Sequence, residues 1–189
     1  MKLTIKKFKN VQSTNDEAIK LIKKNILNPT IISARTQSNG RGTMGKKWIS
    51  KNGNLFISIF FDISTKKIKF DEYSILNPHI VKNVLKKYSN DKISIKWPND
   101  LLIQKKKLCG ILQEVIEFND KKYLIIGIGI NTFIAPISKN FKSISLYKNS
   151  TNFICNSQIF NDIKNAFEIF ISDTSKYKIS YFKKNILKA

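Results

Sequence analysis

Four short segments hold residues whose types and spacing could do chemistry on anions. Gln37-Ser38-Asn39-Gly40-Arg41-Gly42-Thr43-Met44-Gly45-Lys46-Lys47-Trp48 concentrates three of the seven glycines, one of only two arginines, two lysines and a tryptophan. Glycines free the backbone to bend and let its N–H groups approach an anion. Arg41 adds a rigid cationic fork, Lys46 and Lys47 add mobile charge, and Trp48 offers an aromatic face to a purine. The same pattern also describes an ordinary surface loop with a packed tryptophan, because glycine spacing by itself is weak evidence. In Lys96-Trp97-Pro98-Asn99-Asp100, a lysine ends a strand just before a proline that blocks its continuation. That places a cation at the edge of a cleft. Asp100 could bind a divalent metal or orient the lysine, and a purely structural role for Trp97 and Pro98 is equally compatible. Lys107-Leu108-Cys109-Gly110-Ile111-Leu112 and Gly127-Ile128-Gly129-Ile130-Asn131 are strands interrupted by glycine. Such interruptions mark close approach by a ligand or another backbone, or else a bulge.

The elements that must position these segments can be read from periodicity. Alternation over residues 2–8 predicts a strand, and Ser13-Thr14-Asn15 then supplies hydroxyl and amide side chains able to cap a helix through Ala18, Leu21 and Ile22. Asp16 and Glu17 suit that helix's first turn. Residues 30–35 read as a strand, 37–47 as a loop, and 54–61 as a central strand buried on both faces. Helical spacing over 71–88 is interrupted by Pro78, which predicts a kink or a division. Strands are expected at 92–97, 100–104, 107–116 and 122–130, and helices at 157–172 and 175–187. Strands in the middle with helices at both ends give an α+β class, with a mixed or antiparallel central sheet flanked by helices.

Composition sets outer limits. A chain of 189 residues with 42% hydrophobic content is expected to be one domain, residues 1–189, with a substantial core. Its apolar runs are far shorter than the roughly 20 residues needed to span a bilayer, and its start lacks a signal peptide, so a cytoplasmic, non-membrane protein is expected. Cys109 and Cys155 are too few for a disulfide scaffold and read as reduced and buried. The formal charge of +21 would suit nucleic acid, but it is nearly all lysine and spread along the chain. Lysine, asparagine and isoleucine together are what AT-rich codons supply. A solvated surface is the first reading and a functional basic face the second. The lone His79 reads as a helix-surface residue.

The four segments, with Ser13-Thr14-Asn15 before them, resemble the catalytic domain of biotin protein ligases. The pattern there is STN, a GRGRxGRxW loop, KWPND, KxxGIL and GxGIN, in this order and at similar spacing, between residues 13 and 131. The resemblance implies ATP-dependent activation of biotin to biotinyl-5′-AMP, with Mg²⁺ sharing the phosphate charge, followed by transfer to a lysine of a biotin carboxyl carrier protein. It implies catalytic roles for Lys96 and Arg41. It implies biotin contacts from Ser13, Thr14, Asn15, Gln37, Arg41, Gly42, Thr43 and Lys96, with Gly110 and Gly129 leaving room for the biotin ring and chain. ATP contacts would come from Arg41, Trp48, Lys96, Lys107 and Asn131, and Asp100 is a weaker candidate for the metal. This chain has Thr43 where the family usually has arginine and Lys46 where it often has arginine, which puts retention of the adenylate in doubt. No helix-turn-helix or C-terminal β-barrel is recognisable, so no DNA-binding domain is expected, and a homodimer is compatible. A lipoate or octanoate transferase of the same superfamily is the nearest alternative, and a nucleic-acid-binding module the more distant one.

Overall fold

The computed structural model of the protein describes residues 1–138, 141–150 and 153–174. Among these, one mixed sheet is formed by β1 (Thr4–Val11), β2 (Thr30–Gln37), β3 (Leu55–Asp62), β4 (Ile93–Lys96), β5 (Asp100–Ile103), β6 (Lys106–Phe118) and β7 (Lys121–Ile130). The spatial order is β1-β2-β3-β7-β6-β5-β4. Only β1 and β2 run parallel, joined by the crossover helix α1 (Thr14–Lys23), and every other neighbouring pair is antiparallel. Helices α2 (Phe70–Leu85) and α3 (Asn156–Ser172) complete the described elements. The α+β class expected from the sequence is the one observed. The helix expected at 175–187 lies outside the described residues.

Side-chain alternation along the strands separates two faces. On one, Leu55, Ile57, Ile59 and Phe61 of β3 and Leu124, Ile126, Ile128 and Ile130 of β7 join α2 and α3 in the main core. On the other, Phe60, Tyr123 and Ile125 receive Ala18 and Ile22 of α1. Continuing along β7 on this second face, the next two inward positions are Gly127 and Gly129. The apolar layer therefore stops there, and the functional groups begin.

Two local expectations are corrected. Pro78 does not divide the 71–88 segment; α2 is one element from Phe70 to Leu85 with the proline buried inside it. The lost N–H removes a single backbone bond, while Tyr73, Leu76, Ile80, Val81, Val84 and Leu85 bury the rest of the helix in the core. The N-terminus of α1 is not capped by Ser13, whose side chain makes no capping bond. The Thr14 N–H instead donates to Gln37 Oε1 at 2.8 Å, an acceptor brought alongside by the Val11–Gln37 register of β1 and β2.

Candidate active site

Strand register assembles the site. One cross-strand row runs Lys96, Asp100, Gly110, Gly129, Phe56, so residues from four separate stretches of sequence become immediate neighbours. The β1 and β2 ends deliver Ser13–Asn15 and Gln37 to the same region, and the glycine loop leaving β2 folds over it. That loop is pinned by Trp48 N–H to Gly40 O at 2.8 Å and Gly42 N–H to Lys46 O at 2.7 Å. The result is a cavity of about 610 Å³, within the roughly 300–1,000 Å³ typical of small-molecule sites. Ser13, Thr14, Asn15, Gln37, Arg41, Gly42, Thr43, Trp48, Lys96, Asp100, Lys107, Gly110, Gly129 and Asn131 all line it. The structure thus brings together every residue nominated from sequence.

Their arrangement alters several expected roles. Gly110 and Gly129 do not face open space. A Cβ at Gly129 would lie 2.4 Å from Trp48 Cε2, and one at Gly110 would lie 2.6 Å from Trp48 Cζ3. Contacts that short leave no room for a larger residue unless the indole shifts, so these glycines are notches for the indole, which becomes part of the cavity floor. Gly127 performs the same service for Asn15, whose Oδ1 lies 2.4 Å from the Cβ an alanine would carry. Asp100 does not orient Lys96; its Oδ1 pairs with Lys107 Nζ at 2.7 Å. The Lys107 ammonium also sits 5.4 Å from the Trp48 ring centroid and 5.5 Å from that of Phe141. Lys107 is therefore an inner cation fixed between a carboxylate and two rings, while Lys96 is an exposed cation at the rim.

Four buried polar atoms of cavity-lining residues, Arg41 Nε, Trp48 Nε1, Asp100 Oδ1 and Asn131 Oδ1, have no hydrogen-bond partner among the described residues, and Asp100 Oδ1 alone of them is held in an ion pair, with Lys107. Buried groups of this kind are ordinarily satisfied. Here two donors, Arg41 Nε and Trp48 Nε1, and one acceptor, Asn131 Oδ1, are left without any partner. Asn131 is held in place by its N–H to Leu108 O at 2.9 Å and its Nδ2 to Lys107 O at 3.2 Å.

Sequence reasoning missed the acidic partners of the loop. Arg41 donates from both terminal nitrogens to Glu114, at 2.6 and 2.8 Å, and pairs with Asp16 Oδ1 at 2.8 Å. Ser58 and Asn99 were missed as well. Ser58 Oγ, fully buried, donates to Asn15 Oδ1 at 2.5 Å. Asn99 fastens the turn between β4 and β5 to β6 through Ile111, its Nδ2 reaching Ile111 O at 3.0 Å. The one available signal was alternation on β6, where Glu114 shares the face of Gly110 and Leu112. The thiols take no part: Cys109 is buried, and burial, with Asp100 nearby, drives its pKa far up. Cys155 is only partly buried, contrary to expectation, and its hydrogen bond with Ser157 lowers its pKa. His79 lies on α2 and is half-buried, and that burial lowers its pKa.

The sequence and fold that build this cavity are those of a known family. The chain belongs to the biotin/lipoate A/B protein ligase family, whose profile matches residues 7–131. Among curated relatives it is 32% identical over 145 residues to the bifunctional ligase/repressor BirA of Escherichia coli (strain K12), covering 72% of this chain and 45% of that protein. It is 29% identical over 127 residues to the biotin–[acetyl-CoA-carboxylase] ligase of Paracoccus denitrificans, covering 66% and 52%. The biotin protein ligase from Aquifex aeolicus, solved with biotin and ATP, superposes with a TM-score of 0.79 at 27% identity, over 97% of this chain and 76% of that one. The chain spans about half the length, or less, of the curated relatives it matches. Among the described residues, no helix is long and apolar enough to cross a membrane.

Proposed function

We propose that this protein is a biotin protein ligase, with residues 1–189 acting as its catalytic domain. A biotin carboxylate oxygen attacks the α-phosphorus of ATP, forming the acyl phosphate bond of biotinyl-5′-AMP as the bond to pyrophosphate breaks. The amine of a carrier-domain lysine then attacks the acyl carbon and AMP leaves. Both nucleophiles arrive as substrates, so the protein needs no nucleophile of its own. Its task is to hold two anions together in a partly dry cavity.

The observation that carries this reading is the convergence of all the nominated residues on one cavity whose cations include Lys107 and Lys96, together with orphan donors and an orphan acceptor. Lys107 offsets repulsion from inside, and Lys96 reaches in from the rim toward the carboxylate and phosphoryl groups. Ser13, Thr14, Asn15 and Gln37 face the polar ring of biotin, Trp48 and Asn131 face the nucleotide, and the loop carrying Arg41, Gly42 and Thr43 covers both. Among the described residues no cluster of three metal-ligating side chains exists. A magnesium ion would therefore come with the triphosphate, whose oxygens supply most of its ligands, and Asp100 is the carboxylate able to assist. The Aquifex structure with biotin and ATP and the name of the Paracoccus relative support the substrates and a carboxylase carrier domain as acceptor. The lysine-rich surface suits an acidic carrier, a cytoplasmic setting suits the chemistry, and a homodimer is compatible with it. Incubation with biotin, Mg-ATP and a biotin carboxyl carrier domain should add one biotinyl group to one carrier lysine, read by mass. Modification with lipoate in place of biotin would instead identify the lipoate-type relative.

A further inference from the structure

The bonds around Glu114 form a circuit that begins and ends in the glycine loop. Arg41, near the loop's start, donates to both carboxylate oxygens of Glu114. Oε2 also accepts from Asn15 Nδ2 at 2.7 Å. Asn15 Oδ1 accepts from Ser58, whose hydroxyl lies 2.8 Å from that of Thr14. Thr14 meets Gln37, Gln37 Nε2 donates to Ser50 Oγ at 2.9 Å, and Ser50 donates to the Trp48 carbonyl, at the loop's other end. Glu114 is not among the residues that line the cavity; its carboxylate reaches the site through Arg41 and Asn15, which are.

We infer that Glu114 is a positioning residue that locks the Arg41 loop and the Asn15 amide into one arrangement, so that the acid-binding and nucleotide-covering parts of the site are set together. The inference rests on the ligase reading for what those parts bind, but the lock itself is a property of the loop. Oε2 alone serves both Arg41 and Asn15. A glutamine whose carbonyl takes that place keeps the Asn15 bond, while its NH₂ meets the other Arg41 nitrogen donor to donor. The two roles can therefore be separated.

The test compares full-length wild type, Glu114→Gln and Glu114→Ala, each checked for an unchanged melting transition. Limited trypsin digestion with mass identification reads loop order through cleavage after Arg41, Lys46 and Lys47 relative to lysines elsewhere. Adenylate formation reads the KM for biotin. Both variants should raise relative loop cleavage several-fold. Only Glu114→Ala should raise the KM for biotin, by about tenfold, with Glu114→Gln staying within about twofold of wild type. Wild-type cleavage in both variants, or equal KM values for the two, would overturn the lock. Should Glu114→Ala fail to fold, wild-type loop cleavage in Glu114→Gln still refutes it. A wild-type protein that makes no adenylate refutes the ligase reading instead and leaves the cleavage result to stand or fall alone.

Discussion

The two faces of the sheet are built from the same strands under opposite rules. Toward α2 and α3, β7 presents Leu124, Ile126, Ile128 and Ile130, each buried against other aliphatic or aromatic side chains. Toward α1 it presents Tyr123 and Ile125 and then Gly127 and Gly129, against which Asn15 and Trp48 rest. One face is packed for stability. The other trades apolar burial for a cavity whose shape depends on the absence of side chains. Beyond Ile125 on β7, a residue's position, odd or even, therefore decides whether its replacement chiefly disables the protein or destabilises it.

The largest effect is expected from Gly129→Val. A branched side chain cannot share space with an indole already 2.4 Å from the Cβ position, so Trp48 must leave the floor. Adenylate formation should fall below detection while the melting transition persists; retention of activity would show that the notch is dispensable. Next comes Lys107→Met, which removes the inner cation and should cost on the order of 10²–10³ in kcat. Lys96→Met, at the rim, should cost about tenfold by the same reasoning. An adenylation rate untouched by either change would contradict the cation placement. Thr43→Arg should slow escape of biotinyl-5′-AMP from the enzyme, measured by release into filtrate, and equal release from both proteins would remove the proposed leak. Smallest is Ile126→Val on the packed face, expected to cost about 1 kcal/mol of stability with turnover unchanged. A loss of turnover there would blur the division between the faces.

Much of the site was legible because its residues are chemically loud. Cations beside glycines, and glycines inside β-branched strands, betray themselves without a structure, and β3 was recognisable from an apolar run broken only by Ser58. Register was not legible. Nothing in the chain states that Lys96, Asp100, Gly110 and Gly129 lie in one row, or that Asp100 reaches Lys107 instead of its nearer neighbour in sequence. The glycines were read as space for a ligand because a sequence shows what a residue lacks and not what fills the gap. Glu114 escaped notice for a similar reason: its neighbour Gln113 faces α2 and bonds Asn77, and only the phase of β6 turns Glu114 toward Arg41. Pro78 and the α1 cap were settled by tertiary packing and a distant glutamine, both beyond local propensity.

The central claim, that the α1-face cavity brings biotin and ATP together, is tested most directly by biotin-dependent exchange of labelled pyrophosphate into ATP, with lipoate run in parallel. Exchange with biotin alone, abolished in Gly129→Val and preserved in Ile126→Val, is the expected result. Absence of exchange in wild type, or exchange that survives in Gly129→Val, would contradict it.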